Sequence, residues 1–116
     1  MKSHKELHAW QVGFELAQEI YHLTGRFSQQ DRYDYASQRR RASLSIPSNI
    51  AEGYRKRTKA DYRHYCHIAF GSASELETQL ELTKKLALTD PEYFQRSQQL
   101  VDRVLRLLHG LTTSLK

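Results

Sequence analysis

A chain of 116 residues with 39% hydrophobic residues is one domain's worth, 1–116, with apolar side chains enough for one core. Its single cysteine, Cys66, excludes an internal disulfide, no segment approaches the ~18 apolar residues of a membrane span, and the polar start Met1-Lys2-Ser3-His4-Lys5-Glu6 lacks a signal-peptide core. The net charge of +5 is concentrated: residues 32–63 hold nine Lys/Arg against three acidic side chains, and the remainder is close to neutral. The expectation is a soluble, cytoplasmic protein with a polyanionic partner, nucleic acid first and anionic lipid second, against the alternative of a solvated or oligomer-balanced helix face.

The first helix is expected over about Glu6 to Thr24. Leu7, Trp10, Phe14, Ala17 and Tyr21 form its main apolar stripe, with Gly13, Leu16, Ile20 and Leu23 on a second flank. Gly25 suits the left-handed position just past its end. A loop through Phe27-Ser28-Gln29-Gln30-Asp31 leads to a second helix over about Tyr33 to Arg57, with Ala36, Ser43, Ile46, Ile50 and Tyr54 on its core side. Pro47 lies inside it, which predicts a kink; a break with a new helix starting at Pro47 competes.

Thr58-Lys59-Ala60-Asp61 has the capping-box pattern and opens a third helix to about Leu86, with Tyr62, Tyr65, Ala69, Ala73 (or Ser72), Leu76, Leu80 and Thr83 inward. Thr89-Asp90-Pro91-Glu92 opens the last helix, whose stripe is Phe94, Val101, Val104, Leu105, Leu108, Leu111 and Leu115. No stretch alternates with the period of a strand. The reading is all-α, an antiparallel up-down-up-down four-helix bundle.

Two runs of small residues, 42–53 and 71–74, suit a close crossing of the second and third helices, and a mid-helix glycine such as Gly71 needs such a reason because it costs about 1 kcal/mol relative to alanine. Leu44, Leu82, Leu88, Leu100 and Leu107 fall off the stripes and argue for a homo-oligomer.

Catalytic chemistry has little foothold. His4/His8 and His64/His67 are spaced for one helix side, but no third ligand stands at a diagnostic spacing for zinc. There is no GxSxG elbow, no glycine-rich phosphate loop, and no pair of Glu-x-x-His motifs on facing helices as in di-metal bundles. No catalytic residue, metal or cofactor is expected. The cations carry more information. Arg41, Arg55, Lys56, Arg57, Lys59 and Arg63 are candidates for phosphate contact, and Tyr54, Tyr62 and Tyr65 could stack on unpaired bases if they are not core. Arg39 and Arg40 flank the core edge, where a guanidinium can hold a carboxylate or carbonyl across a helix interface. Glu52 and Lys56 have the order of a stabilising i, i+4 pair.

Leu7-x-x-Trp10, Gln38-x-Arg40-Arg41-Ala42-x-x-Ser45-Ile46-Pro47-x-Asn49-Ile50-Ala51-Glu52-Gly53 and Ile68-Ala69-x-Gly71-Ser72-x-x-Glu75-Leu76-Glu77-Thr78-Gln79 resemble the four-helix-bundle family that includes proteins encoded in intervening sequences of large-subunit ribosomal RNA genes. The resemblance spans nearly the whole chain and implies a bacterial antiparallel bundle, often a homopentamer. A similar bundle is the accessory protein of diversity-generating retroelements, a basic pentameric barrel associated with nucleic acid and a reverse transcriptase. No catalytic residue comes with the resemblance. Pro47, Asn49, Glu52, Gly71, Ser72 and Glu75 within its motifs are expected at packing or subunit contacts. The functional expectation is a non-enzymatic homo-oligomer binding structured nucleic acid, RNA before DNA, through phosphates; the rival is an interaction scaffold whose arginines bridge subunits.

Overall fold

The computed structural model describes residues 3–116, and Met1 and Lys2 lie outside them. Four long helices make up the body: α1 (His8–Gly25), α2 (Ser37–Tyr54), α3 (Lys59–Lys85) and α4 (Gln95–Ser114). Short helical turns at His4–Glu6, Gln29–Asp31 and Pro91–Tyr93, and a π-helical segment at Arg32–Ala36, fill the connections. No strand occurs among the described residues.

Each helix packs on its chain neighbours and α4 returns to α1, giving a rod 44 Å long and 21 Å across. The contacts fix the directions of the first three helices. Gly13 of α1 faces Ile46 and Pro47, while Thr24, eleven residues on, takes a hydrogen bond from Arg40 Nε at 2.7 Å. Along α2 and α3, Ser45 meets Ser72 at 2.8 Å and Arg39 reaches Gln79 and Thr83. Both pairs therefore run antiparallel.

Local chemistry explains most boundaries. The Thr58 hydroxyl accepts the Asp61 amide at 3.1 Å, the cap expected from the sequence. Ser28 caps the next turn by accepting the Asp31 amide at 3.3 Å. At the end of α3, the Leu88 amide donates to the Thr83 carbonyl and the Ala87 amide to the Lys84 carbonyl, closing a Schellman motif. Ala87 carries the motif's left-handed backbone, φ 50°, a conformation more costly for alanine than for glycine.

Several expectations are corrected. Gly25 ends α1 without positive φ, so the turn needs no glycine freedom there. α2 ends at Tyr54 rather than Arg57. Its helix continues through Pro47 without restarting; Pro47 is buried against α1, so the packing holds the helix together where one backbone bond is missing. The last helix begins at Gln95, after the turn that Pro91 opens.

The inward face of α1 also differs from the expected stripe. The buried side is Ala9, Val12, Gly13, Leu16, Ile20, Leu23 and Thr24; Trp10 and Ala17 are half-buried, and Phe14 and Tyr21 are exposed. The supposed second flank is the core. With Ile46, Ile50, Leu76, Leu80, Val104 and Leu108, these side chains form one continuous apolar cluster. Each such Leu or Ile contributes about 1.5–3 kcal/mol on burial.

The close crossing of α2 and α3 is real but does not centre on Gly71, which has open space where a side chain would stand. It centres on Gly53. A Cβ there would lie 2.8 Å from Tyr65 Cβ and 3.0 Å from the Tyr62 carbonyl oxygen. Neither atom can swing aside, so Gly53→Ala forces the helices apart. The overpacking, about 1–3 kcal/mol, is expected to exceed the gain of up to about 1 kcal/mol in helix propensity. Urea unfolding should show a lower midpoint for Gly53→Ala; a raised midpoint would refute the crossing.

Candidate nucleic-acid interface

The α2–α3 connection gathers most of the candidate cations. Arg55 caps the end of α2, Lys56, Arg57 and Thr58 make the turn, and Lys59 opens α3. Arg55, Lys56, Arg57 and Lys59 are exposed and Arg63, one turn into α3, is half-buried. Of these five, only Lys56 has an ion pair among the described residues, to Glu52 at 3.9 Å, as the i, i+4 spacing suggests. Such a pair on the surface holds the lysine weakly. Lys56 also lies 5.0 Å from the centre of the Tyr65 ring.

Arg41 is exposed but separate. Fourteen residues up α2 from Arg55, it stands roughly 21 Å away along the axis and lines a polar groove between α2 and α3 with Gln38, Ser45, Ser72, Glu75 and Gln79. One turn further along α2 the Asn49 side-chain amide donates to the Ser45 carbonyl at 2.8 Å and to its hydroxyl at 2.9 Å. The Ser45–Ser72 hydroxyl pair, at 2.8 Å, joins the two helices. Ser45 and Ser72 thus belong to the α2–α3 packing, Asn49 is tied to Ser45 within α2, and Glu52 and Glu75 are exposed.

The neighbouring arginines have different surroundings. Arg39 is fully buried; its Nε donates to Thr83 Oγ1 at 2.8 Å, Nη1 to the Tyr35 carbonyl at 3.0 Å and Nη2 to the Gln79 carbonyl at 2.9 Å. Burial pulls its pKa below the ordinary guanidinium value, against an opposing contribution from Tyr35. Arg40 ties α2 to α1 through Thr24 and the Tyr21 carbonyl, and stands 4.4 Å over the Tyr21 ring.

The tyrosines expected as stacking surfaces are engaged within the fold. Tyr54 and Tyr62 meet edge to face at 6.0 Å, and Tyr62 and Tyr65 wall the Gly53 crossing. Burial pushes the Tyr62 hydroxyl up to about 12, with smaller contributions from Cys66 and Tyr54. Cys66 is buried, and burial pushes its thiol up to about 11, the opposite of an activated nucleophile. No group of three or more metal-ligating side chains converges, and no helix is long and apolar enough to cross a membrane, among the described residues.

Sequence reading missed the aromatic ledge beside the basic turn. Trp10 and Phe14 stack at 4.9 Å, and His4 meets Trp10 edge to face at 5.1 Å. His4 also lines a shallow groove with Ser48, Ala51, Glu52, Arg55 and Lys56. Trp10 and Phe14 have the apolar spacing of a core stripe, and only the narrower side chains of the second flank show where α1 can approach its neighbours.

A four-helix bundle whose first three helices run antiparallel, with one strongly basic turn, defines the class of protein. The chain belongs to the 23S rRNA-intervening sequence protein family, which it matches over residues 5–110. It is similar in structure to a protein of unknown function from the S23 ribosomal protein family of Bacteroides thetaiotaomicron, with a TM-score of 0.83 at 24% identity over 90% of this chain and 95% of that one. That likeness establishes the fold. No match is found among curated proteins.

Proposed function

We propose that this protein is a non-enzymatic homo-oligomer that binds structured nucleic acid, RNA before DNA, through phosphates. The observation that carries the reading is the exposed cluster Arg55, Lys56, Arg57 and Lys59 on one turn, whose one ion pair among the described residues is the weak contact of Lys56 with Glu52. Four cations on a short connection between two helices can meet successive phosphates without ordering a long arm. Fluorescence anisotropy with labelled structured RNA and duplex DNA over a salt series tests it. Affinity should fall linearly in log salt, with a slope that counts the phosphates engaged. Absence of binding even at low salt would refute the reading.

Self-association rests on a separate observation. The outer side of α3 presents Ile68, Leu82 and Leu86, with Gly71 and Glu75 between them, all exposed. A Cβ placed on Gly71 would meet nothing within 4 Å, so the glycine's cost to the helix has no compensation among the described residues. A second protomer's helix lying across this stripe would supply one. Gly71→Ala should therefore raise the stability of dilute protein, by up to about 1 kcal/mol, and weaken self-association in sedimentation equilibrium. Unchanged association would remove this stripe from the subunit contact. The same stripe favours the second reading, an interaction scaffold without nucleic acid, if salt-dependent binding is not found.

A further inference from the structure

We propose that the ledge formed by His4, Trp10 and Phe14 stacks the unpaired bases of a single-stranded segment whose phosphates lie on Arg55 and Lys56. The proposal rests on the polyanion reading and adds to it the kind of strand that is bound. Phosphate contact alone needs only the cations; a ring stack whose outer member, Phe14, faces solvent is unexplained by it. Phe14 is 46% exposed although it stacks on Trp10, so the pile of rings is open to continuation by another flat group.

His4 connects the two chemistries, since it touches Trp10 and lines the groove that contains Arg55 and Lys56. Further along the same edge of α1, Tyr21 is 60% exposed and carries Arg40 over its ring at 4.4 Å. Phe14 and Tyr21 are seven residues apart, about 10.5 Å along the helix. Rings along one edge with cations at both ends match a strand that offers both bases and phosphates. An apolar protein partner would find its approach flanked by Arg55 and Lys56 at one end and by Arg40 at the other. A base-paired duplex offers phosphates but keeps its bases stacked inside, so it can use the cations and not the ledge.

Trp10 is the chain's only tryptophan, so its emission reports on the ledge without a label. A short mixed-sequence single-stranded RNA and the same strand annealed to its complement are titrated into the full chain. The single strand should quench Trp10 emission and the duplex should bind with little quenching. Phe14→Ala should weaken single-strand affinity by about tenfold, leave duplex affinity unchanged and leave the oligomer mass unchanged. Tyr21→Ala should act in the same direction, which keeps the test independent of any one variant's folding. Equal binding of both RNAs with unchanged Trp10 emission would overturn the ledge while the polyanion reading stands. Binding of neither would overturn both. A lower oligomer mass for Phe14→Ala would assign the ledge to a contact between protomers and overturn the proposal.

Discussion

Arg39→Ala is expected to lower the free energy of unfolding by about 3–5 kcal/mol, whereas Arg39→Met should cost much less. Arg39 is among the largest fully buried side chains of the bundle, and its three hydrogen-bond partners are a hydroxyl and two carbonyls, none of them anionic. Its charge is thus desolvated without a counter-charge, with the Tyr35 ring at 5.4 Å and the Phe27 ring at 6.0 Å as further neighbours. Alanine leaves a cavity between α2 and α3 and removes the link to Gln79 and Thr83. Methionine fills much of the same volume and brings no charge to desolvate. The Gln79 carbonyl keeps a side-chain donor in either variant, because Thr83 Oγ1 donates to it at 2.8 Å. Urea unfolding of the three proteins distinguishes the contributions. If the methionine variant proves as unstable as the alanine variant, the hydrogen bonds of the guanidinium, and not its volume, hold the helices together.

Arg39 also marks how far the sequence can be read. Its neighbours in the chain are Arg40 and Arg41, and a run of three arginines is indistinguishable by composition from a basic surface. Their separate fates follow from helical phase: Arg39 turns to α3, Arg40 to α1 and Arg41 to solvent. The acceptors of Arg39 on α3 stand forty and more residues away, beyond any local pattern. Caps are the opposite case, since the Asp61 amide donates to the Thr58 hydroxyl within one turn and the third helix starts there. The π-helical segment Arg32–Ala36 has no such local signal.

Hydrophobic periodicity located the helices but misjudged which flank of α1 is inside. Trp10, Phe14 and Tyr21 outweigh Val12, Gly13 and Leu16 in apolar bulk, yet a close approach of α1 to α2 favours the smaller side chains. At that approach a Cβ on Gly13 would stand 3.1 Å from Ile46 Cγ2. The basic turn was legible because charge density survives any error of phase. The aromatic ledge beside it was not, because the same rings satisfy a core pattern.

Replacing Arg55, Lys56, Arg57 and Lys59 together by glutamine is expected to lower affinity for structured RNA about a hundredfold or more near ~0.1 M salt. The log–log salt slope should shrink by roughly 3–4, close to 0.9 for each phosphate that goes unneutralised on a duplex region. Glutamine keeps much of each side chain's length and hydrogen-bonding capacity, so the change removes charge and little else. All four side chains are exposed, and the one ion pair disturbed, Lys56 with Glu52, is long and on the surface. Stability should therefore stay within about 0.5 kcal/mol of the parent for each substitution, and light scattering should return the same mass. Loss of affinity at constant mass is the signature of direct phosphate contact. A fall in mass would instead make these cations bridges between protomers, and unchanged affinity would leave the phosphates to Arg41 or to no part of this surface.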